Sequence, residues 1–340
     1  MNYELSSDFE SKHEAARKWF REAHFGLMVH WGLYCLPAGE WRGCRMHRIG
    51  EWLQSYFRIP NAEYHRLTEA FNPLLFNADE WVKLAQDAGM KYMVVTSKHH
   101  EGFAMFHSKV SKFNIADATP FHRDVIGELA EACRNHGMKL GLYYSQEIDW
   151  SEPNGGGISR GHTWGCGSAS WTNDWDFPDN ASKNYNQCFE DKIVPQVQEI
   201  LTQYGDLCLI WFDTPGDISK EQSSLLVDMV HHYQPSCLVN SRVGNDKFDY
   251  KSMGDNEIPM DDKSGQEMLY ESACTLNDTW GYKSFDNNWK SPSKIIRIKN
   301  HLNSHGLNYL LNVGPDALGR IPAPAQDILR EVGRRNSSQK

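Results

Sequence analysis

Eight short apolar runs, each closed by polar or glycine residues and most preceded by a helix-periodic stretch, constrain the fold more than any single motif does. They are Gly26–Gly32, Tyr92–His100, Lys139–Ser145, Leu207–Asp213, Cys237–Arg242, Tyr250–Asp255, Met268–Cys274 and Asn308–Pro315. The spacing predicts helices over residues 8–23, 78–88, 124–135, 192–204, 292–303 and 325–335, with Gly89, Gly137 and Gly205 as stop signals. Strands that alternate with helices pair in parallel. Eight such units predict an α/β fold, a (β/α)8 TIM-like barrel with irregular later crossovers. No GxGxxG loop opens a helix, which disfavours an open dinucleotide-binding sheet. No linker interrupts the chain, so residues 1–335 are expected to form one catalytic domain, with 336–340 as a disordered tail.

Bulk properties narrow the partners. The formal net charge is -9, from 44 acidic and 35 basic residues without a basic cluster, so nucleic acid and anionic membrane are not expected partners. No run approaches the ~20 apolar residues of a membrane span, and the first residues lack the basic and apolar regions of a secretory signal. A cytoplasmic location is expected. The eight cysteines form no CxxC pair and read as reduced core residues rather than a disulfide or zinc framework.

A barrel gathers the carboxyl ends of its strands around one opening. Here those ends carry His30, Trp31, His99, His100, Tyr144, Trp211, Asp213, Arg242, Asp255, Glu257, Glu271 and Asn312. Asp213 closes a buried run and precedes Thr214-Pro215-Gly216, so it reads either as a catalytic acid or as the start of a turn. His30, His99 and His100 could hold a metal, but no HxH or HExxH pattern accompanies them, and consecutive strand residues face opposite ways unless a bulge intervenes. One GxSxG match, Gly157–Gly161, has no apolar strand before it and so lacks the elbow that exposes a nucleophilic serine. A pair of carboxylates, one attacking and one donating a proton, is the arrangement of a retaining glycosidase. Two long connections, 33–60 and 150–187, are rich in Trp and Tyr and follow strand ends, as sugar-stacking lids would.

Several runs, in order, carry a resemblance. His24–Tyr34, Gly50-Glu51-Trp52, Lys98–Phe103, Leu209–Asp213, Asn277–Tyr282 and Leu310–Pro315 are similar to the α-L-fucosidase family of retaining glycoside hydrolases, over residues 19–333. The resemblance implies that Asp213 is the nucleophile and Glu257 the acid/base, with Glu271 and then Asp255 as alternatives. It implies a fucose-binding shell of His30, Glu51, Trp52, His99, His100, Tyr144, Trp211, Arg242 and Trp280, with no metal and no cofactor. The implied substrate is a terminal α-L-fucosyl linkage of an oligosaccharide or glycoconjugate. Many relatives carry a β-sandwich after the barrel, whereas this chain stops about 25 residues past Pro315. A metal-dependent barrel hydrolase and a non-catalytic fucose-binding protein are the rival readings; linkage preference and oligomeric state are left open.

Overall fold

The computed structural model describes residues 3–160 and 170–337. Its sheet has eight strands: β1 Phe25–Val29, β2 Tyr92–Lys98, β3 Lys139–Ser145, β4 Leu209–Asp213, β5 Leu238–Val239, β6 Tyr250–Ser252, β7 Leu269–Thr275 and β8 Leu307–Val313. They pair in the order β5-β4-β3-β2-β1-β8-β7-β6, every neighbour parallel. The two ends of that order nearly close. Asn240 and Tyr250 form a parallel bridge, and Asp249 N–H donates to Val239 C=O at 2.8 Å. The barrel and all eight strand positions are as expected.

Irregularity falls where the sequence pattern was weakest. Between β5 and β6 there is only a single 3-10 turn, Ser241–Val243, and no helix separates β6 from β7. Elsewhere the crossovers are helical. Asp124 caps Val125–His136 by accepting from Gly127 N–H at 2.9 Å, and Gly137 ends that helix at φ 65°.

Barrel strands alternate between two cores. Met28, Tyr92, Val94, Tyr143, Leu209, Trp211, Leu238, Tyr250 and Leu310 fill the interior, while Leu27, Val95, Leu142, Tyr144, Ile210 and Phe212 face the outer helices. Helix α1, Phe9–Ala23, plugs the amino-terminal end: Phe20 lies 4.7 Å from the Tyr250 ring and 6.0 Å from Tyr92. Truncating a buried ring of this kind costs about 3–5 kcal/mol. Gly26 is required there, because a Cβ would sit 2.5 Å from the Tyr92 ring.

Two expectations change. The last helix, Ala323–Ser337, includes residues 336 and 337, which therefore are not tail; residues 338–340 lie outside the described residues. Six of the seven described cysteines are buried thiols, but Cys44 is exposed, and Cys166 lies outside the described residues, as does Trp164. Among the described residues, no helix is long and apolar enough to cross a membrane.

Candidate active site

Asp213 ends β4 with both carboxylate oxygens engaged. Oδ2 accepts the Tyr143 hydroxyl at 2.8 Å and Oδ1 accepts Arg242 Nη1 at 3.1 Å. The same guanidinium donates through Nη2 to Asp255 Oδ1 at 2.5 Å and to Met253 C=O at 3.1 Å. One planar fork therefore clamps two carboxylates side by side, a task suited to Arg geometry. Beneath it lies an aromatic stack. Arg242 sits 4.7 Å over the Trp211 ring, Trp211 stacks on Tyr143 at 5.6 Å, and Tyr143 stacks on His99 at 5.3 Å.

The chain leaves Asp213 by an abrupt turn, with Thr214 at φ 59°. Buried Glu147 holds that turn: its Oε2 accepts the N–H groups of Gly216 and Asp217 and, at 3.0 Å, Ile218, while Oε1 accepts Gly157 N–H at 2.9 Å. The carboxyl is pushed up to about 7 by burial. Asp217 in turn receives Ile158 and Ser159 N–H, so these two residues of the GxSxG match form part of this brace.

Three imidazoles line the same cavity. His30 Nδ1 pairs with Asn312 Oδ1 at 2.7 Å; Asn312 Nδ2 donates to Trp280 C=O, so the amide orientation is fixed and His30 Nδ1 must be the donor. Burial lowers His30 to about 4, which leaves Nε2 as an unprotonated acceptor. His100 Nδ1 meets Ser145 Oγ at 2.7 Å, and that hydroxyl donates to Ile148 C=O, giving His100 the same tautomer. Burial pushes His99 and His100 well below the usual histidine range. Both can line the cavity because β2 ends at Lys98, so strand alternation no longer governs them.

Glu51 enters from the first long connection. It accepts Gly281 N–H at 2.8 Å, is raised to about 7 by burial, and adjoins Trp52, whose ring meets His100 edge-on at 5.0 Å. The resulting cavity, about 340 Å³, is lined by His30, Glu51, Trp52, His99, His100, Trp211, Asp213, Arg242, Asp255 and Trp280, all expected from sequence. It also takes in Trp171, from the aromatic-rich connection 150–187, and Met28, Ile49, Tyr143, Thr214 and Pro215, which sequence reasoning did not assign to the site.

Three expected residues lie elsewhere. Tyr144 faces outward, donating to Gln196 at 2.9 Å, and its neighbour Tyr143 takes the pocket position. Glu257 is exposed and folds back onto Gly254 N–H at 2.7 Å. Asn256, at φ 57°, turns the chain between Asp255 and Glu257, and its side chain is tied to Thr275 N–H at 2.9 Å. Glu271 is buried inside the barrel rather than lining the cavity.

As for metals, the cluster with ligand spacing among the described residues is His13, His231 and Asp249, not His30, His99 and His100.

A parallel barrel whose carboxyl-terminal mouth holds two clamped acids in a cavity lined by aromatic rings and imidazoles has the arrangement of a glycoside hydrolase. The chain belongs to the α-L-fucosidase family, whose profile matches residues 2–336. It is 30% identical over 335 residues to tissue α-L-fucosidase of Rattus norvegicus, spanning 93% of this chain and 67% of that enzyme. α-L-Fucosidase AlfC from Lactobacillus casei in complex with α-L-fucose product superposes with TM-score 0.90 at 51% identity, covering 95% of this chain and 98% of that one. The enzyme from Vibrio sp. strain EJY3 gives TM-score 0.87 at 38% identity, over 98% of this chain and 56% of its own.

Proposed function

We propose that the chain is a retaining exo-α-L-fucosidase in which Asp213 is the nucleophile and Asp255 the acid/base. The observation that carries the assignment is the Arg242 clamp, which holds both acids at the mouth of the same cavity. Asp255 replaces Glu257 in this role because Glu257 turns away from the cavity onto its own loop.

Asp213 attacks the anomeric carbon as the glycosidic C–O bond breaks, and Asp255 gives its proton to the departing oxygen. Asp255 then removes a proton from water, which attacks the fucosyl ester and frees Asp213. At rest Asp255 is paired with Arg242, so acid action requires it to leave the guanidinium when substrate enters; such contacts are commonly rearranged between free and substrate-bound sites. His30, His100, Glu51 and Arg242 offer hydroxyl partners, and Trp52, Trp211 and Trp280 offer apolar walls. The substrate is a terminal fucosyl unit of a glycan, as in the AlfC variant solved with Fucα(1,6)GlcNAc. Free buried thiols support a cytoplasmic setting, where thiols stay reduced.

The test is chemical rescue. Asp213→Ala should abolish turnover of an aryl α-L-fucoside. Asp255→Ala should lose activity mainly on poor leaving groups and regain turnover with azide, while Glu257→Ala keeps near-parental rates. Rescue of Glu257→Ala, with Asp255→Ala fully active, would return the role to Glu257.

A further inference from the structure

The interior of the barrel holds a buried carboxyl that the reaction above does not use. Glu271, on β7, is fully buried and reaches across to two other strands. Its Oε2 accepts the Tyr92 hydroxyl from β2 at 2.6 Å, and its Oε1 accepts the indole Nε1–H of Trp211 from β4 at 3.0 Å. Trp211 is no ordinary neighbour. One face of its ring supports the Arg242 guanidinium at 4.7 Å, and the ring stacks on Tyr143 at 5.6 Å and 19°. Those two residues make the two hydrogen bonds that hold Asp213, one on each oxygen.

We infer that Glu271 is a positioning residue for the fucosidase reaction: by fixing the Trp211 indole from inside the barrel, it sets the platform on which Tyr143 and Arg242 aim the nucleophile. A buried indole N–H usually finds an acceptor, and that polar handle helps fix the rotation of the ring within its packing. The Nε1–H is that handle, and it has one acceptor in the interior, Glu271 Oε1. A tilt of Trp211 would displace both donors of Asp213 together, and reacting groups misplaced by about 1 Å lose rate by about 100-fold. Burial raises the Glu271 carboxyl to about 7, against the pull of its two hydrogen bonds and of Arg242, and the barrel keeps it nonetheless. An acid present only to satisfy Tyr92 would have no need to engage the pocket wall.

The experiment compares four forms of the full chain on an aryl α-L-fucoside. Glu271→Met keeps the volume but accepts no hydrogen bond, and kcat should fall tenfold or more with a smaller change in KM. Glu271→Gln still offers an amide oxygen to Trp211 and an amide N–H to the Tyr92 oxygen, and should return kcat to within about threefold of the parent. Tyr92→Phe breaks the other hydrogen bond of the same carboxylate, and should lower the melting midpoint while leaving kcat within threefold. If Glu271→Met does not fold, Glu271→Asp takes its place with the same expectation, because the shortened arm withdraws the acceptor from Trp211.

Folded Glu271→Met or Glu271→Asp with parental kcat overturns the proposal, as does an equal loss of kcat in Tyr92→Phe, which would mark Glu271 as structural only. The inference rests on the fucosidase reading, so the parent is assayed first. An inactive parent refutes that reading, whereas an active parent with an unaltered variant refutes this proposal alone.

Discussion

The hydroxyl of Tyr143 donates to Oδ2 of Asp213 across 2.8 Å, from the strand beside the one that carries the acid. Parallel register explains the reach: Tyr143 pairs with Trp211 and Ser145 with Asp213, so the phenol extends up the barrel wall to the next inward residue. A hydrogen bond to a charged group is worth about 1.5–3 kcal/mol. Tyr143→Phe should therefore reduce kcat/KM by about 10- to 100-fold, with the fold intact by circular dichroism. A variant as active as the parent would show that Asp213 needs no phenolic donor.

Arg242 does what a point charge cannot. Its two terminal nitrogens hold Asp213 and Asp255 separately, and its planar face rests on Trp211. Arg242→Lys keeps the charge yet supplies a single ammonium without a flat face. Steady-state kinetics should show a drop in kcat/KM of about 100-fold or more. Retention of a third of parental activity would mean that charge alone suffices and that the fork is incidental.

Most of the barrel was legible because its strands are buried on both faces and read as unbroken apolar runs between helical stretches. The site was legible to the extent that strand ends converge. What failed was parity. Leu140-Gly141-Leu142-Tyr143-Tyr144 carries apolar residues on both faces, so nothing in the run says which tyrosine points inward; packing of Leu142 and Tyr144 against the outer helices decides it. For His99 and His100 the same parity rule warned of a conflict, and the strand's end at Lys98, which leaves no mark in composition, resolves it. Glu257 was favoured over Asp255 with no knowledge of the positive-φ turn at Asn256, which is set by contacts to Ala273 and Thr275 seventeen and more residues away. Glu147 went unnoticed because its partners are backbone N–H groups, invisible to residue patterns.

Burial of carboxyls should be visible in stability. Glu101 is buried, accepts Leu33 N–H at 2.8 Å and the Tyr64 hydroxyl, and is raised to about 7 by desolvation. Below the unfolded-state value near 4.5 both states carry the proton; between 4.5 and 7 only the folded state does, so this group's stabilisation is lost as pH rises through that window. His30 acts oppositely over pH 4 to 6.5, and His99 and His100, which burial also lowers, act in the same sense as His30, so bulk melting curves will partly cancel. A difference measurement removes the cancellation. The stability of Glu101→Gln relative to the parent should improve from pH 5 to pH 8, by at most about 3 kcal/mol. A pH-independent difference in denaturant titrations would contradict a raised folded-state value.

The tautomer of His30 offers the sharpest test of how the sugar is gripped. With Nδ1–H spent on Asn312 Oδ1 and the ring neutral down to about pH 4, Nε2 can only accept, so under the proposed function a sugar hydroxyl meeting it acts as donor. Asn312→Asp keeps the size and the acceptor for His30, gives up the N–H bonded to Trp280 C=O, and places a negative charge against the ring. That charge favours imidazolium, raising the pH at which Nε2 gains a proton. Once protonated, Nε2 becomes a donor and the hydroxyl loses its acceptor. Sugar binding is then lost at a higher pH than in the parent. The acid limb of the kcat/KM profile should move up by at least one pH unit, with the alkaline plateau lowered much less. Were the acid limb to stay in place while Asn312→Asp folds normally, His30 would not be accepting from the sugar, and the hydroxyl contacts would fall to His100, Glu51 and Arg242.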